Sequence, residues 1–384
     1  MDNLTVKSMK PLIEHDTYPS ISIFLPTHST GSQTRQDPIR FKNLVTDCEQ
    51  KLKLKFPTEA ARKILKPACD MLQDNSFWRY QSRGLALFMA DHFVRHFRLS
   101  TAPQETARVD TYFYVVPLVA DLMHDQPYYL LDLNLKDVKL LKICRDRIDP
   151  VEVPDLPTSI EAYLPYEELE KQPQFRTVPE GKIDGADAIF HGQGSMADDD
   201  RRKRIINDYI VKIAKGIEHW LAGTNAPLIL AGDEYDKAFY RRHSHYPYLL
   251  EKSISRYSGP SAMAMIQHKA EQIIRAHFQQ VIEDAVNRYR EFEGTGKVSG
   301  DILQVLPAAF TGRIDTLLVN PDMSVYGRFH PQSHRVQLAE DEQYKQGDEE
   351  LINLTVLHAL RHGTQVYPAA GDAINTPVAA LFRY

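Results

Sequence analysis

Gly192-Gln193-Gly194 places one amide side chain between two residues that have none, with His191 before it and Ser195 after it. A carboxamide donates and accepts a hydrogen bond at once, so Gln193 can hold and orient a water molecule without acting as a base. Two glycines give up more backbone entropy on folding than any other pair, and something must offset that cost. Either the chain needs glycine torsions to turn there, or the loop enters a space too narrow for side chains. A plain surface turn ahead of an ordinary helix is the alternative. The tripeptide alone leaves both open.

The elements around it decide how such an amide would be presented. Ser195 lies three residues before Asp198, the spacing of a capping box, and Asp198, Asp199 and Asp200 would occupy a first turn, where the helix dipole favours acidic charge. That predicts a helix from about 198 to 221, with Gln193 just beyond its end like the tip of a rod. Ile206, Ile210, Ile213, Ile217 and Trp220 or Leu221 recur on one side at helical spacing. The basic quartet Arg201, Arg202, Lys203 and Arg204 sits near the tip, where phosphates would be if this end met RNA. Arg241 and Arg242 form a second basic patch, and Lys136, Lys139, Lys142, Arg145 and Arg147 a third. The bland reading of each is a solvated face.

The chain has 384 residues, 43% hydrophobic and 25% charged, the composition of an ordinary soluble globular protein. That length predicts two or three domains. A net charge of −5 and a pI of about 6.3 argue against a surface devoted wholly to nucleic acid. No apolar run reaches the ~20 residues that cross a bilayer, and MDNLTVKSMKPLIEHD is not a signal peptide. Cys48, Cys69 and Cys144 are too few and too scattered for a disulfide framework or a structural zinc. The expectation is a reduced, cytoplasmic protein with no membrane partner.

Breaks in composition suggest an α/β chain of three blocks, 1–105, 106–257 and 258–384. In the first, Ile21–Leu25 reads as a strand. Asp37 reads as an N-cap with Pro38 at the first helical position, followed by a stripe of Ile39, Leu44, Val45 and Leu52. GLALFMA and HFVRHFRL read as strands joined at Asp91-His92. In the second, YFYVVPLVADL and YYLLDLNLKDVKLLKICRDR read as strands, a proline-rich stretch follows, and Ala226–Gly232 is a buried strand after the long helix. The third opens at Ser258-Gly-Pro260 with a helix over about 261–293. It then alternates helix and strand: SGDILQVLPAAFTG, RIDTLLVN, DEELINLTVLHALRHG, TQVYPAA and VAALFRY.

Other candidates for chemistry read mainly as structure. His358 and His362 share a helical face, but no glutamate stands between them as a metalloprotease motif requires. They predict an edge-of-core pair and no metal site. His243 and His245 lie among arginines and aromatic residues that could stack on RNA bases, though packing of a loop explains them as well. His92 and His96 read as structural members of a hairpin. No Walker-type or dinucleotide glycine loop and no nucleophile elbow occurs, so no cofactor is indicated.

His191-Gly-Gln-Gly-Ser195 ahead of a basic helix containing Tyr209-Ile-Val-Lys-Ile resembles the middle domain of archaeal and eukaryotic class I peptide-release factors. SGDILQVLPAAFTGRIDTLLV, INLTVLHALRHGTQVYPA and VAALFRY are similar in order and wording to that family's C-terminal domain. ISIFLPTH and TRQDPIRFKNLV are similar to the bacterial archaeo-eukaryotic release-factor-like group. The resemblance implies an RNase H-like middle domain and a C-terminal α/β sandwich similar to kink-turn-binding ribosomal proteins. It further implies a translation-associated factor acting at the ribosomal A site or on peptidyl-tRNA, with ribosome, tRNA or rRNA, and a translational GTPase as partners. It gives Gln193 the catalytic role, with His191, Gly192, Gly194 and Ser195 shaping the loop. Arg201, Arg202, Lys203, Arg204, Arg241 and Arg242 would bind RNA.

Releasing a peptide from tRNA is ester hydrolysis, and placing a water near the carbonyl supplies most of that effect. The family's tripeptide is Gly-Gly-Gln, whereas this chain has Gly192-Gln193-Gly194, so Gln193 falls where the family varies. Pelota-type rescue factors share the middle and C-terminal domains and lack the tripeptide. Three readings follow: hydrolysis through Gln193, RNA or ribosome binding without chemistry, or a regulator that kept the fold and left the ribosome. The net charge of −5 leans toward the third.

Overall fold

The computed structural model describes residues 4–124, 126–145, 147–163, 194–255, 262–339 and 348–384. Two compact units emerge, Met1–Gln126 together with Ala276–Tyr384, and Pro127–Arg275. The chain thus leaves the first unit, builds the second, and returns.

The outgoing part of the first unit holds α1 (Val6–Ile13), β1 (Ser20–Pro26), α2 (Asp37–Lys53), α3 (Thr58–Gln73), α4 (Asn75–Arg79), β2 (Gly84–Ala90), β3 (Phe93–Leu99), β4 (Thr106–Asp110) and α5 (Leu118–His124). The strands form an antiparallel sheet in the order β3-β2-β1-β4. Both its faces are covered. Ile21, Ile23, Leu25, Leu85, Leu87 and Met89 pack with Phe41, Val45, Cys48, Leu52 and Trp78, while Phe24, Phe88 and Phe97 face a second core. A sheet buried on both sides explains why ISIFL and GLALFMA read as unbroken apolar runs.

Two expectations change here. The buried stripe of α2 is Phe41, Val45, Cys48 and Leu52, and Ile39 is 62% exposed. Asp37 opens the helix instead of capping it, because its buried carboxylate is spent on His28, accepting from the backbone N at 2.8 Å and from Nδ1 at 2.9 Å. Likewise Tyr112–Pro117 forms no strand, and Leu118–His124 is helical. Pro117 cannot donate to a ladder, and Leu118, Val119, Leu122 and Met123 bury together at helical spacing.

The second unit comprises β5 (Tyr128–Asp132), β6 (Lys139–Cys144), β7 (Arg147–Val151), α6 (Ile160–Tyr163), α7 (Gly194–Leu221), β8 (Leu228–Gly232), α8 (Glu234–His243), β9 (Ile254–Ser255) and the first part of α9 (Ala262–Glu291). Its sheet runs β7-β6-β5-β8-β9: the first three strands form an antiparallel meander, and β5, β8 and β9 are parallel neighbours. The parallel pairs need helical crossovers, which α7 and α8 supply. This five-stranded α/β arrangement agrees with the RNase H-like class implied by the resemblance.

The returning part adds the end of α9, β10 (Val298–Ser299), α10 (Ile302–Phe310), β11 (Ile314–Val319), β12 (Tyr326–His330), β13 (Arg335–Leu338), β14 (Glu349–Glu350), α11 (Leu351–Arg361), β15 (Gln365–Pro368) and β16 (Val378–Phe382). They form sheets β10-β16-β11-β15 and β13-β12-β14. One core joins outgoing and returning parts: Phe88, Phe97, Phe113 and Leu118 pack with Leu306, Leu317, Leu354 and Leu357. The break in composition at 105/106 therefore falls inside the first unit, since Phe113–Leu122 share that core. The break at 257/258 lies before α9, which begins in the second unit.

α11 carries the polar part of this junction. Glu350 caps it, accepting from the backbone N of Ile352 and Asn353, and burial pushes its carboxyl up from the ordinary range. Asn353, itself buried, accepts from Val115 N at 2.7 Å and donates to Phe113 O at 2.9 Å. Arg361 grips Ile13 O at the end of α1 through both Nε and Nη2. Replacing Asn353 by Leu leaves a buried N–H and a buried C=O without partners, a loss of about 2–4 kcal/mol. A urea titration should show that fall in the transition of the first unit, and an unchanged midpoint would contradict this account of the junction.

Candidate functional site

α7 begins at Gly194, directly after Gly192-Gln193 in the sequence. Tyr209, Ile210, Ile213, Ala214, Ile217 and Leu221 are fully buried against Tyr129, Leu131, Leu140, Leu228 and Leu230 of the sheet. Ile206 is the first residue of α7 in this core. Gly194 lies about 18 Å further along the axis at the usual rise per residue. Because α7 leads into β8, its N-terminal end lies at the carboxyl ends of β5 and β8, the side on which open α/β sheets bind ligands.

A small seat fixes the middle of α7. Tyr209 Oη donates to Pro157 O at 2.9 Å, and its ring lies 5.4 Å from that of Tyr163. Burial, with Glu161 adding, pushes the Tyr209 phenol well above its ordinary range, so it remains a donor. Lys212 Nζ sits 5.7 Å from the Tyr163 ring. Gly216 lets the 153–157 segment close in, since a Cβ there would stand 2.8 Å from Leu156 Cδ1.

The predicted site residues separate as follows. His191, Gly192 and Gln193 lie outside the described residues. Gly194 and Ser195 are helical, so Ser195 stands inside α7 and not at its cap, and Asp198–Asp200 fall beyond the first turn. Met196 and Ala197 are good helix formers, which lets the helix run back past the expected start. Arg201 and Arg202 belong to the same helix, and Lys203 and Arg204 are exposed.

Arg241 and Arg242 are not gathered with them. α7 and α8 run side by side in the same direction: Tyr235 Oη donates to Asn207 Oδ1 near one end, and the backbone N of His245 meets Glu218 Oε1 near the other. The pair therefore sits at the Glu218 level, about 20 Å along the helix from Arg204. Arg241 there donates to Leu250 O and Glu251 O at 2.7 and 2.6 Å, holding a loop, while Arg242 is exposed. His243 likewise donates to Phe239 O, and its ring lies tilted against that of Phe239 at 4.3 Å.

Sequence reasoning missed Lys212 and Lys215. Both are exposed, and with Arg204 they fall on the side of α7 opposite its buried stripe. Their signal was positional: they occupy the polar phase of the pattern that identified the apolar stripe. Lys139, at the carboxyl end of β5 through its pairing with Asp132, contacts Asp137 Oδ2 at 2.5 Å. Among the described residues no cluster of three or more His, Cys, Asp or Glu could hold a metal, and no helix is long and apolar enough to cross a membrane.

A mixed α/β unit whose longest crossover helix presents cations at the carboxyl end of its sheet is the class that fold and site define. Residues 128–276 match the model of the bacterial archaeo-eukaryotic release factor family 7. That span coincides with the second unit. Among solved structures, the chain is similar to an archaeal translation termination factor, at 14% identity over 99% of each chain with a TM-score of 0.26. It is similar to Archaeoglobus fulgidus Pelota at 11% identity over 78% of this chain and 79% of that one, TM-score 0.31. A model of ribosome-bound archaeal Pelota and ABCE1 matches at 11% identity over 67% and 61%, TM-score 0.38. No curated protein matches the chain.

His358 and His362 do separate structural work. His362 Nε2 donates to Phe310 O at 3.0 Å, while the buried His358 ring lies edge-on to Phe310 at 5.0 Å. Burial, then the charges of Arg361 and His362, lower the His358 imidazole to about 4. A histidine depressed in the folded state and ordinary when unfolded adds stability above its unfolded pKa, lost as pH falls from about 6.5 toward 4. Wild type should lose about 3 kcal/mol more than His358→Phe across that window. Parallel denaturation curves for the two proteins between pH 7 and 4 would refute it.

Proposed function

We propose that this chain is a translation-associated factor that binds the ribosome and carries the 191–194 loop toward the peptidyl-tRNA ester. The observation that carries the reading is the agreement between the release-factor-like span and one folded unit whose longest helix leads directly out of that loop. Lys203, Arg204, Lys212 and Lys215 along α7 supply the sequence-independent attraction to phosphates, an interaction that weakens steeply with salt. Arg201 and Arg202 extend it toward the loop. Gln193 orients the attacking water, and backbone N–H groups of the glycines face the negative charge that develops on the carbonyl oxygen.

A second reading is supported by one specific feature, the absence of Gly-Gly-Gln at Gly192-Gln193-Gly194. In that reading the factor occupies the ribosome as a Pelota-like protein and catalyses nothing, with a translational GTPase as a further partner.

The test is release of labelled peptide from purified ribosome complexes whose A site is empty or holds a stop codon. Hydrolysis through Gln193 predicts release by wild type and a drop on the order of a hundredfold in Gln193→Ala. Release by neither protein, with both pelleting with ribosomes at low salt, selects the second reading. Failure to pellet sinks both. Lys212→Glu with Lys215→Glu should weaken co-sedimentation and flatten its salt dependence.

A further inference from the structure

In the first unit, the end of β1, the start of α2 and the segment that follows α4 meet. Thr27 N and Oγ1 donate to Arg83 O and Ser82 O at 3.0 and 2.9 Å, Arg40 Nη1 donates to Pro26 O, and Trp78 of α4 lies against Phe41 of α2. His28 follows directly on Thr27. Its backbone N and its Nδ1 are both bound to the carboxylate of Asp37, whose side chain is 2% exposed, while the imidazole is 33% exposed. The ring is thereby oriented, and among the described residues nothing bonds its Nε2. Arg35, Arg79 and Arg83 belong to the same region. Each is exposed, and among the described residues none of them is paired with a carboxylate. Other acids of the region are engaged: Glu105 accepts from Arg40 Nε and Nη2, and Asp74 caps α4. Tyr80 is 67% exposed and meets no other ring among the described residues.

We propose that this surface binds a single-stranded nucleic acid, holding its phosphates with His28, Arg79 and Arg83 and one base with Tyr80. The guanidinium groups supply an attraction to phosphate that does not depend on sequence. In the imidazolium form both ring nitrogens of a histidine donate, here Nδ1 to Asp37 and Nε2 to a phosphate oxygen. Asp37 is a positioning residue, since its buried carboxylate holds the ring. A base stacks on an exposed aromatic ring whatever its identity, and only an unpaired strand can offer one. An acidic peptide would meet the arginines and leave Tyr80 without a planar partner. The inference is independent of α7 and of the loop at Gln193, which belong to the other unit.

The experiment follows by anisotropy the binding of fluorescein-labelled oligouridine of about 12 nucleotides, and of the matching oligodeoxythymidine, to the full-length protein carrying Lys212→Glu and Lys215→Glu. Those two changes weaken any contribution from α7. Binding of either strand supports the proposal, and the tighter one names its source. Adding Tyr80→Ala should lower affinity about tenfold. Adding Arg79→Gln with Arg83→Gln should lower it at least as much and reduce the slope of log affinity against log salt by about 1.4. These three positions are exposed, so melting temperatures should not move. A readout free of any variant is ultraviolet cross-linking of the wild-type protein to RNA containing 4-thiouridine, which should recover a peptide that includes Tyr80. No binding, cross-links confined to residues 127–275, or affinity unmoved by both sets of changes would each overturn the proposal. So would uridine monophosphate binding as tightly as the oligomer, or polyglutamate displacing it equally well.

Discussion

The side-chain amide of Asn353 ties together two stretches of chain that are separated by an entire folded unit. It pairs with Phe113 and Val115 as a neighbouring strand would. The apolar surfaces around it do not specify such an alignment by themselves, because hydrophobic burial is non-directional. Two hydrogen bonds from one buried residue do specify it. Arg361, one helix length further on, closes the same junction against the end of α1. The shared core, and with it the sheet of the first unit, depends on this alignment.

In the second unit the corresponding constraint is topological. Parallel β5 and β8 are adjacent, so the chain must cross over the sheet between them. α7 makes that crossing with more helix than the sheet needs. One side of α7 is a conventional apolar stripe, and its exposed residues include Lys203, Arg204, Lys212 and Lys215. The buried part of α7 is held in place by Tyr209, with Gly216 facing Leu156.

Much of this was legible beforehand where the pattern is local. The stripe of α7, the apolar run of β8, the turn at Asp91-His92 and the succession α10, β11, α11, β15 and β16 follow from periodicity and turn residues, whereas β12, β13 and β14 were not read. What escaped was set by distant partners. Ile39 looked like part of a stripe, yet Phe41 takes the inward phase because the sheet beneath α2 lies on that side. Asp37 looked like a cap, but His28 claims its carboxylate. The aromatic and β-branched run Tyr112–Val116 looked like a strand, although its backbone is partnered in part by a side chain more than two hundred residues away. The separation of the cations on α7 from Arg241 and Arg242 was not legible either, since it depends on the direction in which two helices lie.

The order of synthesis acquires a meaning from the way the first unit is split. When Phe88, Phe97 and Phe113 leave the ribosome, the residues that will cover them, Leu351–Leu360 among them, are still untranslated. At about 5–20 residues per second the nascent chain carries that uncovered aromatic surface for tens of seconds. The second unit meanwhile has all of its own strands and can close first. Biogenesis therefore runs from the inside of the chain outward, with the N-terminal half waiting on the C-terminal half, and chaperone demand should concentrate on that interval.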